Sequence, residues 1–176
     1  MPLYTYKDYK PEISPSSFVA PSADIIGRVL LNDSANIWFN CVLRGDVNEI
    51  IIGKNTNIQD LSMLHVTEKD SLHIGENVTI GHSVILHACK IGDGCLIGMG
   101  AKILDGAVIG ENSLVAAGSV VPPGKIYPDG SFIIGSPAVV KRALSIEEIT
   151  QYSTHYKSYL EYALEFKNEN YFSELK

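Results

Sequence analysis

The chain has 176 residues, of which 45% are hydrophobic and 19% are charged. A chain of this size and composition folds as one domain with its own core, which excludes a disordered or highly solvated protein. The formal net charge of −6 argues against a nucleic-acid binder, because no basic surface would attract phosphates.

Targeting signals and cysteine spacing further restrict the cellular location and the kinds of site that we expect. No apolar run approaches the roughly 20 residues that span a bilayer, and the N-terminal sequence lacks the basic start and apolar stretch of a secretory signal. Three cysteines without a CxxC pair indicate neither a disulfide framework nor a thiolate zinc site. We therefore expect a cytoplasmic protein that contacts neither membrane nor nucleic acid.

An aliphatic residue recurs every six positions from residue 19 to about residue 126, with three departures from the step. The positions are Val19, Ile25, Leu31, Ile37, Leu43, Ile52, Ile58, Leu64, Ile74, Ile80, Leu86, Ile91, Ile97, Ile103, Ile109, Val115 and Val121. This period is not helical, because the apolar stripe of a helix recurs at three and four residues. It fits short strands joined by tight turns, and such units must stack into a solenoid to bury their apolar residues.

This spacing resembles the hexapeptide-repeat left-handed β-helix, in which three hexapeptides make one triangular coil. The resemblance implies a mostly β fold, with parallel strands and a left-handed sense. Beyond the repeat, Ser145 and Glu148 form a capping-box pattern, and apolar residues from 149 to 163 follow helical spacing. We expect this C-terminal α-helix to pack along the solenoid. The predicted regions are an N-terminal segment (1–18), the hexapeptide-repeat β-helix (19–138), and the C-terminal helix and tail (139–176).

The departures from the six-residue step share one corner of the predicted triangle. The step becomes nine after Leu43, ten after Leu64 and five after Leu86. These residues are the third members of three consecutive coils, whereas random drift would scatter the irregularities over all corners. Loops on a rigid scaffold are where functional sites are usually built, so this corner is the first candidate for a site.

Arg44, His65 and His87 directly follow those three aliphatic residues, so they occupy one column on neighbouring rungs about 4.8 Å apart. Two imidazoles at that spacing can converge on one metal ion, because zinc binds nitrogen at about 2.0–2.1 Å. His82 belongs to a different corner of the same coil. The arithmetic therefore predicts a homotrimer whose metal site takes His65 and His87 from one subunit and His82 from the next.

Five segments resemble the γ-class carbonic anhydrase family: RGDVN (44–48), TNIQD (56–60), LH (64–65), VTIGHSVILHAC (78–89) and IGMGA (97–101). In that family three histidines bind zinc, or iron or cobalt in some members, across the interface of a homotrimer. The resemblance implies that His65, His82 and His87 are the metal ligands, with Zn²⁺ expected and Fe²⁺ or Co²⁺ as alternatives.

The same resemblance implies roles for six further residues. Gln59 matches the residue that orients metal-bound hydroxide or bicarbonate, and Tyr159 matches a tyrosine that reaches the site from the C-terminal helix. Arg44 carries a fixed charge suited to bicarbonate and matches a residue that pairs with the equivalent of Asp60 across the interface. The expected interface and supporting residues are Asp46, Asn57 and Asp60.

The implied activity is reversible hydration of carbon dioxide to bicarbonate by metal-bound hydroxide, which makes the protein a carbonic anhydrase-like zinc hydro-lyase. Two alternatives stay open. A non-catalytic metal-binding trimeric scaffold is favoured by the lack of an evident proton-shuttle acid, since Glu49 is displaced and the loop after His65 offers only Glu68 and Asp70. A hexapeptide-repeat acyltransferase would use one histidine as a base and no metal.

Overall fold

The computed structural model describes residues 3–168 and 170–173. The ends of the predicted terminal segments (1–2 and 174–176) and Glu169 lie outside the described residues. The strands of the described chain are β1 (Leu3–Tyr4), β2 (Glu12–Ile13), β3 (Phe18–Val19), β4 (Asp24–Leu31), β5 (Asn36–Ile37), β6 (Val42–Ile52), β7 (Asn57–Ile58), β8 (Met63–His65), β9 (Leu72–Ile74), β10 (Thr79–Ile80), β11 (Ile85–His87), β12 (Lys90–Ile91), β13 (Leu96–Ile97), β14 (Lys102–Ile103), β15 (Val108–Ile109), β16 (Leu114–Val115), β17 (Val120–Val121), β18 (Ile126–Tyr127), β19 (Ser131–Gly135) and β20 (Ala138–Ala143). The helices are α1 (Ile146–Ser153) and α2 (Tyr156–Lys167).

The hexapeptide repeat folds into a parallel β-solenoid, which confirms the predicted fold class. Coils pair in the register that the six-residue step predicts: Leu31 lies opposite Ile52, and Leu43 lies opposite Leu64. All four side chains are fully buried. Because burial of one such side chain stabilises the fold by about 1.5–3 kcal/mol, the stacked aliphatic residues hold the coils in this register.

The irregular corner is built from one continuous strand. β6 pairs with β8 through residues 42–44 and with β9 through residues 50–52, so two faces of the solenoid join in a single sheet at this strand. Gly45 lies inside β6, where an added Cβ would overlap the carbonyl of Arg28 on the preceding rung. Residues 46–49 and 66–71 therefore leave the regular coil while the pairing on either side of residues 46–49 is kept.

The repeat runs further than residue 126, and it ends in an element that the sequence analysis did not predict. Tyr127 pairs with Ile109 and Ile133 pairs with Val115, so the chain adds another partial coil. β19 then turns back on β20 as an antiparallel hairpin. This hairpin covers the last rung, which would otherwise present unpaired backbone groups as an exposed sheet edge.

The C-terminal helix forms as two helices, with a break at Thr154 and His155. The predicted capping box is present, since the Ser145 hydroxyl accepts from the Glu148 backbone N–H and the Glu148 carboxylate accepts from the Ser145 backbone N–H. The Thr154 hydroxyl donates to the Thr150 carbonyl at 2.9 Å. A hydrogen bond from a threonine side chain to the carbonyl four residues earlier often bends a helix. Within residues 3–168 and 170–173, neither helix has the length and apolar character to cross a membrane.

Helix α2 packs on the outside of the first coils, as expected. The ring of Phe166 lies 5.1 Å from that of Trp38, and the ring of Tyr159 lies 5.5 Å from it. At the end of the helix, Lys167 Nζ donates to the Ser16 carbonyl at 2.6 Å. The helix is therefore held by an aromatic cluster beside strands β3 and β5.

Candidate metal centre

Two of the predicted ligands lie side by side at the irregular corner. Strands β6, β8 and β11 bring Arg44, His65 and His87 opposite one another on successive rungs. The centroids of the two imidazole rings are 5.0 Å apart, and His65 Nδ1 lies 3.0 Å from His87 Nε2. Both rings are partly buried, because they project outward from strand ends that are themselves packed in the sheet.

Each of these rings also meets a carboxylate through its other nitrogen. His65 Nε2 lies 3.0 Å from Asp46 Oδ1, and His87 Nδ1 lies 2.5 Å from Asp105 Oδ1. A carboxylate only accepts, so each ring donates its N–H to the aspartate and leaves a lone pair on the nitrogen that faces the other ring. Two lone pairs 3.0 Å apart repel each other unless a proton or a metal ion lies between them.

The facing nitrogens fit a metal ion. Two nitrogen ligands of a tetrahedral zinc are about 3.3 Å apart when each Zn–N bond is about 2.0–2.1 Å. The observed 3.0 Å between His65 and His87 needs an adjustment of only a few tenths of an ångström. Neutral imidazole held by a carboxylate on its far nitrogen is also the usual form of a metal-binding histidine.

Electrostatics around Asp46 favour the same protonation states. Burial raises the pKa of Asp46, but hydrogen bonds from His65 and Arg44 outweigh it, so its pKa lies below the usual range and the carboxylate is ionised. Burial lowers the pKa of His65, and the charge of Arg44 adds to this against the attraction of Asp46. His65 is therefore neutral near pH 7, as a metal ligand must be.

His82 lies at a different corner, directly after the glycine that follows β10. Its Nδ1 lies 2.9 Å from Asp60 Oδ2, so this histidine also has an aspartate of its own. Among residues 3–168 and 170–173, no group of three histidine, cysteine or carboxylate side chains is close enough to hold a metal ion. The described chain thus brings two of the predicted ligands together and places the third, His82, elsewhere.

Gln59 and Asn57 belong to a buried polar ladder near His82. The Gln59 side chain donates to Asn57 Oδ1 at 3.2 Å, and Asn57 donates to Thr79 Oγ1 at 2.9 Å. Gln59 directly precedes Asp60 in the chain and sits at the corner of Asp60 and His82. Within one chain it is not brought to the pair of facing imidazoles.

Tyr159 also lies near Asp60. Both residues line a cavity of about 310 Å³ between helix α2 and the solenoid, together with the rings of Trp38 and Tyr162. Burial, and then the negative charge of Asp60, raise the pKa of Tyr159 above its usual range. Its hydroxyl is therefore a protonated hydrogen-bond donor at neutral pH.

The predicted residues fall into two sets on different corners, which we name by position. The column group consists of Arg44, Asp46, His65 and His87. The corner group consists of Asn57, Gln59, Asp60, His82 and Tyr159.

Asp105, which contacts the column group, was missed by the sequence analysis. Rung arithmetic places residues 104–105 beside the rung of His87, because they follow the strand that pairs with the strand of His87, but it does not give the direction of the Asp105 carboxylate.

A family model matches the repeat. The bacterial transferase hexapeptide model (six repeats) matches residues 71–104 and 88–123, which include His82 and His87 in their strands and turns.

The curated relatives match about half of the chain. Gamma carbonic anhydrase 1, mitochondrial, of Arabidopsis thaliana is 49% identical over 88 residues, which are 47% of this chain and 32% of that protein. Carbonic anhydrase of Geobacillus kaustophilus is 45% identical over 86 residues, which are 49% of this chain and 47% of that protein. The chain therefore spans less than half the length of these two relatives.

A solved structure matches over nearly the whole length. The crystal structure of a hexapeptide transferase family protein from Anaplasma phagocytophilum has a TM-score of 0.89 and 40% sequence identity. The match covers 93% of this chain and 96% of that chain. Together with the matched repeat, this structure shows that the chain belongs to the hexapeptide transferase family of hexapeptide-repeat proteins, and about half of the chain is similar to curated carbonic anhydrases.

Proposed function

We propose that this protein is a metal-dependent carbonic anhydrase that converts carbon dioxide and water reversibly to bicarbonate and a proton. The observation that carries the proposal is the pair of imidazoles whose ring nitrogens face each other at 3.0 Å, each with its far nitrogen on a carboxylate. The carbonic anhydrase names of the curated relatives support the same activity.

The third ligand in this proposal is His82 of a neighbouring copy in a homotrimer. In one chain the column group and the corner group lie on different corners, so adjacent copies can bring one group against the other. Exposed apolar side chains support an interface between copies here: Ile85 stands two residues before His87, and Leu61 follows Asp60. Clustered exposed apolar residues mark surfaces that are covered by a partner.

Around the metal, the side chains of this chain have separate tasks. The metal would supply the Lewis acidity that makes a water molecule nucleophilic near neutral pH. The Gln59 amide N–H is held by Asn57, which leaves its carbonyl oxygen to accept from the attacking water and orient it. Arg44 carries the fixed positive charge nearest the pair and would attract the bicarbonate product. Zn²⁺ is the metal we propose, although three imidazoles also suit Fe²⁺ and Co²⁺.

The first test combines metal analysis with kinetics on the purified protein. We expect one metal ion per subunit and carbon dioxide hydration that disappears on chelation and returns with Zn²⁺, as followed by stopped flow. His87→Ala should lose both the metal and the hydration. His73→Ala is the matched control, because His73 lies on a neighbouring face of the solenoid beside Glu49, 3.4 Å away, and outside both groups.

The other outcomes separate the competing functions. Metal without hydration would contradict the anhydrase and favour the metal-binding scaffold. An acyltransferase is the second candidate enzyme, because an apolar groove of about 350 Å³ runs past His155 between Leu96 and Phe132. Transfer of an acetyl group from acetyl-CoA by protein that holds no metal would favour that function instead.

A further inference from the structure

Asp105 contacts a predicted ligand, although no role has been assigned to it. It follows strand β14, one rung beyond His87, and its Oδ1 lies 2.5 Å from His87 Nδ1. The backbone of the same turn is tied to both neighbouring rungs, since Gly106 N–H donates to the Ala88 carbonyl and Gly124 N–H donates to the Asp105 carbonyl. The carboxylate is therefore held against the ring by the solenoid itself.

The contact decides which nitrogen of His87 is free. An imidazole that donates its Nδ1–H to a carboxylate has its lone pair on Nε2, and in this structure Nε2 faces His65. In the other tautomer, His87 would present an N–H to that position and could not bind a metal there. A carboxylate on the far nitrogen also raises the basicity of a histidine ligand.

The other two histidines show the same arrangement. His65 meets Asp46 and His82 meets Asp60, each through one ring nitrogen at about hydrogen-bond distance. Asp105 thus completes a set in which each of the three histidines has its own aspartate. Asp46 lies in β6, Asp60 follows β7 and Asp105 follows β14, so no single local motif accounts for the pattern.

We propose that Asp105 is a positioning residue that holds His87 in the Nδ1–H tautomer and thereby turns Nε2 toward the metal position. The part of the proposal that concerns the metal rests on the proposed function. The tautomer itself does not, because it is a property of the metal-free protein.

The experiment compares the wild type with Asp105→Ala, with Asp105→Glu as the conservative variant. Glu111→Gln is the matched control, because it removes an exposed carboxylate from another turn of the solenoid. Two quantities are measured at pH 8: the ¹⁵N chemical shifts of the His87 ring in metal-free protein, and the affinity for Zn²⁺ by chelator competition. Thermal unfolding of the metal-free protein reports any structural effect.

We expect the wild-type His87 shifts to report a protonated Nδ1, and Asp105→Ala to shift them toward a mixture of tautomers. Zn²⁺ affinity should fall about 10- to 100-fold, the usual cost of losing such a partner. Asp105→Glu should recover part of the affinity, and Glu111→Gln should retain all of it. The unfolding temperature of the metal-free protein should be unchanged.

Three results would overturn the proposal. These are an Nδ1 without a proton in the wild-type ring, an unchanged His87 spectrum in Asp105→Ala, or wild-type Zn²⁺ affinity in that variant. If the wild type binds no Zn²⁺, the proposed function fails, and the ¹⁵N shifts still decide whether Asp105 sets the tautomer.

Discussion

The column group and the corner group lie on the same coils, yet they are built differently. In the column group two histidines face each other at 3.0 Å across adjacent rungs. In the corner group His82 is a single imidazole beside Asp60, and Asp60 also lines a cavity with Tyr159 and other aromatic residues. The column group lies where the chain departs from the six-residue step. The corner group lies where the chain keeps that step. Among the residues that the structure describes, neither group places three metal-binding side chains together, so the proposed metal site needs residues from both corners.

The largest effect should come from removing the single histidine. His82→Ala leaves the pair of His65 and His87 intact, but we expect it to abolish metal binding as fully as His87→Ala does. Saturating Zn²⁺ at about 1,000 times its dissociation constant should stabilise the wild type by about 4 kcal/mol and should not stabilise His82→Ala. Thermal unfolding with and without Zn²⁺ measures this difference.

Retention of the metal-dependent stabilisation in His82→Ala would contradict the claim that metal binding needs both groups. It would mean that the column group holds the metal without help from the corner group. His73→Ala is the matched control, since His73 lies beside Glu49 and outside both groups.

A smaller effect is expected from Leu61, which stands beside Asp60 in the corner group. Its φ is +65°, in the left-handed region, and residues in the same turn position of neighbouring coils are Asn40, Ser83 and Gly100. A bulky side chain in this conformation costs roughly 1–2 kcal/mol, yet Leu61 is exposed in the single chain. We infer that its side chain contacts a neighbouring copy.

Leu61→Gly should therefore relieve backbone strain and weaken association at the same time. We expect the dissociation constant of the assembly to rise about tenfold, which corresponds to about 1.4 kcal/mol of lost contact. Sedimentation over a concentration series measures this constant. Ser83→Gly is the matched control, because it also replaces a residue of positive φ in the same turn position with glycine. An assembly as tight as the wild type would remove Leu61 from the interface.

The smallest effect concerns the start of helix α1, which lies outside both groups. Hydrogen bonds from Arg142 and from the Ser145 backbone lower the pKa of Glu148 to about 2. Because its folded pKa is below its ordinary value of 4.5, its contribution to stability is present above that value and is lost as the pH falls toward 2. Glu148→Gln should reduce helicity slightly at pH 7 and have little effect near pH 2, as measured by circular dichroism. Equal helicity of both proteins at pH 7 would contradict this account.

The solenoid could be predicted from sequence because a single spacing along the chain determines how its coils stack. An inward aliphatic residue at every sixth position requires the same register in each coil, so Leu43 and Leu64 must lie opposite each other. The column of His65 and His87 follows from the same arithmetic. The step continues through Tyr127, which is not aliphatic, to Ile133 in β19. The reversal of the chain into β20 could not be found this way, because the spacing of inward residues does not predict an antiparallel turn.

Side-chain partners were beyond the reach of spacing. Asp105 and Asp60 meet histidines because turns of the backbone direct their carboxylates, and the step of six says nothing about that direction. Helical periodicity likewise identifies the apolar face that carries Tyr159. It does not say that this face packs against Trp38 and so brings the phenol near Asp60.

The most direct test of a divided site is complementation between two inactive variants. His65→Ala lacks a working column group and His82→Ala lacks a working corner group. The two chains are co-expressed with different tags and purified through both tags, so every assembly contains both chains. In a cyclic trimer, either mixed composition then contains one interface at which both groups are intact.

We therefore predict one metal ion and one active centre in each mixed trimer, and none in trimers of either variant alone. Metal content and carbon dioxide hydration measure both quantities. Mixed trimers without metal would contradict a site divided between neighbouring copies, and so would metal in trimers of His82→Ala alone.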